Sequence, residues 1–180
     1  FIYKNFIIFR KYVLTFIIFC IQIICIQIMA DTSLLENKIG LLVWKTSNYW
    51  QSRLRQILKK HHLTLNEYLI LESINQLIPI KKNIYQNEIS EFIGMDISVA
   101  SVTFKLLENK KLIVRMIKKD NRKKIVEMLV NGKNLYNKIN PLIVNEEKKI
   151  FNKLMNETNN FKNSLKLILG KRLRIKVNKI

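Results

Sequence analysis

The stretch QNEISEFIGMDISVASVTFKLLENKKLIVRMIKKDNRKKIVEMLV, residues 86–130, decides how this chain folds. Ile89, Phe92 and Ile93 recur at helical spacing, which predicts a short helix over about Gln86–Ile93 with these three residues inward. Gly94 is a left-handed C-cap for it, and Asp96 is the N-cap of a second helix over about Ile97–Lys110. Two helices joined by Gly94-Met95-Asp96 have the length and turn of a helix-turn-helix. Leu112–Lys118 and Ile125–Val130 are rich in β-branched and apolar residues, with the wholly polar Lys119–Lys124 between them, so they read as a β-hairpin.

Working outward, Leu35, Ile39, Leu42, Tyr49, Leu54 and Ile57 follow helical spacing within Leu34–Lys60, while Trp44 and Trp50 lie off that line. A helix apolar on more than one side needs more than one partner. Thr64-Leu65-Asn66-Glu67 is a capping box, in which a hydroxyl and a carboxylate satisfy the free amides at a helix start. The helix it opens carries Tyr68, Leu71, Ile74 and Ile78, and Pro79 ends it. Beyond the hairpin, Asn131-Gly132 is expected to begin another helical stretch and Asn140-Pro141 to restart or kink it. A last helix over about Thr158–Leu169 places Phe161, Leu165 and Ile168 on one face, and the tail 171–180 holds five basic residues and no acid.

The balance of 32 Lys and Arg against 13 Asp and Glu, a formal charge of +19 over 180 residues, points to a polyanionic partner. Nine basic and two acidic residues lie between Lys105 and Lys124, so the surplus peaks at the hairpin. Enzymatic chemistry finds no support: there is no nucleophile motif, phosphate-cradling Gly loop or paired carboxylate with a base. The adjacent His61 and His62 have no Asp, Glu or Cys at ligand spacing, so no metal and no cofactor are expected. They read instead as cations at a helix C-terminus.

The first 28 residues differ from the rest. Both cysteines, Cys20 and Cys25, lie there, and Tyr12–Ile28 is apolar except for Thr15, Gln22 and Gln27, behind Arg10 and Lys11. Three readings stay open: read-through of A·T-rich DNA upstream of Met29, a membrane anchor at the lower length limit for a span, or a cleaved signal. Without this segment the charge is still +16, so the basic character belongs to residues 29–180.

Helices, helix-turn-helix, basic hairpin and terminal helices occur in the order of a winged-helix regulator, and here the residues resemble the MarR family. Tyr85-Gln86-Asn87-Glu88-Ile89 resembles the start of the family's first helix-turn-helix helix, and Ser98–Glu108 its recognition helix. Leu112-Ile113-Val114-Arg115 resembles the entry to the wing, and Asp120-Asn121-Arg122 matches the family's Asp-x-Arg at the wing tip. Three residues depart from the pattern. Val102 stands where an Arg is usual, Lys111 replaces the usual Gly, and Leu129 replaces the usual Thr. They put the operator sequence in doubt more than the fold.

The resemblance implies a mainly α fold with a small β-hairpin wing: a MarR-like domain over residues 29–170 and a basic tail over 171–180. Within it, the helix-turn-helix spans about 86–110, the wing about 112–130, and flanking dimerisation helices about 34–60 and 132–169. With Ala100, Phe104 and Leu107 inward, the opposite helix face is Ser98, Ser101, Val102, Lys105 and Asn109, suited to the major groove. Val102 can touch only apolar groups there, such as a thymine methyl. By resemblance Gln86 and Asn87 join the DNA-facing side. Arg122 enters the minor groove, oriented by Asp120, while Arg115, Lys118, Lys119 and Lys123 complete the wing surface as basic contacts. The expected partners are double-stranded DNA and a second copy of the chain. The resemblance also implies a small aromatic effector, with Trp44, Tyr49, Trp50 and Tyr68 either lining its pocket or packing as core. The expected location is cytoplasmic, with an inner-membrane anchor through residues 12–28 as the alternative. General RNA or DNA binding through basicity is the remaining reading.

Overall fold

The computed structural model describes residues 38–117 and 124–171. The chain divides into two units between Tyr49 and Trp50, each described by itself. In the first unit, residues 39–49 are helical and expose Ile39, Leu42, Val43, Trp44 and Tyr49.

The second unit continues that helix, α1 (Ile39–Lys59), and buries Leu54 and Leu58 on one side. The chain leaves α1 through His62 at φ 54, and the Leu63 amide returns to the Leu58 carbonyl at 3.1 Å. The capping box then opens α2 (Leu65–Leu77): the Glu67 amide donates to Thr64 Oγ1 at 3.2 Å, and the Thr64 amide donates to Glu67 Oε2 at 2.7 Å. Helix α2 is central, with Leu65, Tyr68, Ile70, Leu71, Ile74 and Leu77 all buried. It stops one residue before Ile78, which is exposed rather than part of the buried stripe.

Helix α3 (Gln86–Ile93) ends at Gly94 with φ 73, the left-handed cap that a residue without Cβ adopts at no steric cost. Asp96 caps α4 (Ile97–Asn109), accepting from the Ser98 and Val99 amides at 2.8 and 3.4 Å. Ile89, Ala100, Phe104 and Leu107 are fully buried, as their spacing predicts. Phe92 corrects the reading of α3: it is about half exposed, because on so short a helix Ile89 and Ile93 fill the inward side.

Lys111 turns the chain at φ 54 into the antiparallel hairpin β1 (Ile113–Ile117) and β2 (Lys124–Met128), paired from Ile113↔Met128 to Ile117↔Lys124. Tyr85 bridges Ile125, and the Val126 amide donates to the Ile84 carbonyl at 2.8 Å, so the loop before α3 is stitched to the hairpin.

Helix α5 (Val130–Phe151) starts at Val130 with Leu129 as N-cap residue, one residue before the expected Asn131, and it continues through Pro141 rather than restarting there. Proline removes one amide from the ladder, but Tyr136, Ile139 and Ile143, all buried, hold the helix on both sides of it. A 3₁₀ segment (Asn152–Glu157), bent at Met155 with φ 46, leads into α6 (Thr158–Ile168).

Between α2 and α5 lies a polar knot. The Tyr68 and Tyr136 hydroxyls both donate to Glu72 Oε2, at 3.2 and 2.6 Å, with their rings 6.3 Å apart. Burial pushes both phenols well above their ordinary range, and the neighbouring Glu72 carboxylate adds to the shift. Among the described residues no helix is long and apolar enough to cross a membrane, and no cluster could hold a metal ion. Residues 12–28 lie outside the described ones.

Candidate nucleic-acid interface

Burial of Ala100, Phe104 and Leu107 turns the other side of α4 outward, and Ser98, Ser101, Val102, Lys105 and Asn109 are all exposed on it. Their chemistry is not equally available. The Ser98 hydroxyl donates to Asp96 Oδ1, which strengthens the cap, and that bond is the main cause holding the Asp96 carboxyl below its usual range. The Thr103 hydroxyl donates to the Val99 carbonyl at 2.7 Å. Ser101, Val102, Lys105 and Asn109 therefore carry the outward chemistry of the helix.

Arg115 is placed differently from the expected wing contact. Its side chain is only about 10% exposed and faces inward. Nη2 pairs with Glu108 Oε2, Nη1 donates to Gln86 Oε1 at 3.0 Å, and the guanidinium carbon lies 5.9 Å from the centre of the Phe104 ring. The Arg115 backbone amide also donates to Glu108 Oε1 at 3.1 Å. One planar fork thus joins β1, α4 and α3, and the hydrogen bond from Arg115 holds the Glu108 carboxyl below its usual range. Gln86 is half-buried by this contact, whereas Asn87 is exposed.

Lys110 is likewise turned to the fold. Its ammonium donates to the His62 carbonyl at 2.7 Å and pairs with the fully buried Glu67 at 2.7 Å, tying the end of α4 to the capping box of α2. Both ion pairs brace the C-terminal end of α4, and Arg115 also reaches the start of α3. Lys118, Lys119, Asp120, Arg122 and Lys123 lie outside the described residues.

The structure adds residues that spacing alone did not single out. Asn66, exposed at the start of α2, faces α4 across a cleft of about 410 Å³ lined also by Thr64, Val99, Val102 and Leu106. The only signal in the sequence was a second apolar stripe on α4, one step off the buried one. Among the aromatic residues considered for an effector, Trp44 and Tyr49 are exposed on the first unit. In the second unit Trp50 is half-buried, its Nε1 donating to Glu147 Oε1 at 2.9 Å, and Tyr68 belongs to the polar knot.

The MarR family model matches residues 63–125, from just before the capping box of α2 to the second residue of β2. Over these residues the chain is similar to the MarR family, and its fold is that of a winged helix-turn-helix domain. Solved structures of like fold include MepR of Staphylococcus aureus in complex with DNA, at 20% identity over 74% of this chain and 97% of that one, with a TM-score of 0.67. A mutant MarR of E. coli with operator DNA matches at 17% identity over 74% and 94%, TM-score 0.66. CouR of Rhodococcus jostii, bound to p-coumaroyl-CoA, matches at 18% identity over 78% and 98%, TM-score 0.66. At such identities the likeness is one of fold. In the terms of the winged helix-turn-helix fold, α3 and α4 are the helix-turn-helix, and β1 and β2 are the stem of the wing.

Proposed function

We propose that this protein is a transcription regulator that binds double-stranded DNA in a sequence-specific way, as a dimer, from the cytoplasm. The observation that carries the reading is the outward face of α4, with Ser101, Lys105 and Asn109 exposed beside the base of a strongly basic wing. In this arrangement α4 enters the major groove. Arg122 at the wing tip enters the minor groove with Asp120 orienting it, and Lys118, Lys119 and Lys123 contact phosphates. Support comes from the solved complexes of MepR and MarR with DNA.

The dimer interface is assigned to α1 and to the helices after the wing. Support comes from exposed apolar residues on each unit taken by itself: Trp44, 65% exposed, in the first, and Leu167 and Ile168 on α6 in the second. A small aromatic effector acting near these helices is the form of regulation proposed, supported by the ligand in CouR.

Competition binding on a selected operator tests the reading. Arg122→Ala should weaken sites with A·T-rich flanks more than G·C-rich ones, because a narrow minor groove attracts Arg. Lys118→Ala should weaken all flanks alike and flatten the salt slope by about one unit. Identical behaviour of the two variants on every flank would reduce the wing to a charged arm. No duplex binding at ~50 mM salt would remove the function altogether.

A further inference from the structure

The outward side of α4 is not uniformly polar. Val99, Val102 and Leu106 follow one another at i, i+3 and i+7 and are 43%, 62% and 43% exposed, forming one wall of the cleft whose other wall is Thr64 and Asn66. Of the hydroxyls lining the cleft, those of Ser98 and Thr103 donate to Asp96 and to the Val99 carbonyl, while Thr64 Oγ1 accepts from the Glu67 amide. What remains for a ligand is an apolar stripe facing the Asn66 amide and the donor side of the Thr64 hydroxyl.

A protein of charge +19, with nine basic residues between Lys105 and Lys124, brings this cleft against a phosphate-rich partner. The one apolar group that the major groove offers is the thymine C5-methyl, and Asn is the amide that pairs with adenine N6 and N7. Both belong to A·T pairs. Along a helix rising ~1.5 Å per residue, Val99 to Leu106 spans roughly 10 Å, about the length of three base steps at ~3.4 Å.

We propose that the cleft between α2 and α4 is a thymine-methyl reader: Val99, Val102 and Leu106 cover the methyls of a short thymine run in each half-site. The assignment rests on the DNA-binding reading above and specifies what that face recognises. Guanine, which is read by Arg or Lys, is left to Lys105 alone among the exposed residues of α4.

The test selects binders for the full chain from a random 30-bp duplex pool and remakes the best duplex with deoxyuridine for thymine. This swap removes methyls while keeping pairing, minor groove and phosphates. Each contacted methyl lost should weaken binding on the order of four-fold, from the usual transfer free energy of a buried carbon. The salt slope should be unchanged, because it counts phosphates. Val102→Ala and Leu106→Ala, both on exposed positions, should weaken the thymine duplex more than the deoxyuridine duplex and so narrow the gap between the two; near-isosteric Val102→Thr should do so more mildly. Thermal melting reports that each variant is folded. Equal wild-type affinity for the two duplexes, or full discrimination in both Ala variants, overturns the proposal while leaving DNA binding intact. Absence of binding to any duplex overturns the DNA reading and this one with it.

Discussion

Lys111 and Arg115, four residues apart, show how differently two basic residues can be used. Lys111 holds φ 54, where an L side chain is strained and glycine is not. Lys111→Gly should therefore stabilise the fold by up to about 1 kcal/mol, partly offset by the freer unfolded chain, as urea unfolding would measure. Arg115 is a brace whose partner Glu108 has its carboxyl held below the usual range. A lowered folded value means stability that is present above the ordinary carboxylate range and lost as the pH falls through the folded value. Glu108→Gln should accordingly be less stable than wild type at pH 7, with the gap closing below about pH 4. A gap unchanged at acid pH would mean the pairing contributes nothing. The charge of Arg115 is legible in the sequence; its direction is not, because Phe104, Gln86 and Glu108 meet it only when three elements pack.

Among the elements, α5 carries the clearest conflict between local signal and tertiary outcome. Asn140-Pro141 reads as a restart or a kink, yet the helix continues without restarting, because its buried residues lie at helical spacing on both sides of the proline. The interior proline still costs the helix a hydrogen bond, so Pro141→Ala should raise stability by up to about 3 kcal/mol, visible as a higher Tm. The start of α5 behaves in the opposite way. A Cβ on Gly132 would lie 2.1 Å from the Leu112 carbonyl oxygen, where the helix crosses the entry to the hairpin. Gly132→Ala should destabilise by about 1–3 kcal/mol, because backbone on both sides must shift. It should also disturb the wing, since the Leu129 amide donates to that same carbonyl at 3.0 Å.

At the scale of the whole molecule, charge and apolar surface make separate predictions. Sedimentation of residues 29–180 at micromolar concentration should give a dimer, driven by the apolar residues left exposed on α1 and α6. A well-folded monomer would overturn the assignment of those helices. Affinity for duplex DNA should fall on the order of 10³-fold between ~50 and ~200 mM salt if six phosphates are contacted. Lys110 and Arg115 should contribute little to that slope, because their charges are already spent inside the fold.

The sequence by itself determined the order of the elements, the capping box at Thr64, the left-handed turn at Gly94, and the buried stripe of α4. These are local or periodic properties, set by amide satisfaction, backbone sterics and burial within a turn or two of chain. Tertiary structure alone decided that Arg115 and Lys110 brace rather than reach outward, that α5 runs through its proline, and that Asn66 faces Val102 across a cleft. Each depends on which distant groups come within about 3–4 Å of one another, and no spacing along a chain encodes that distance.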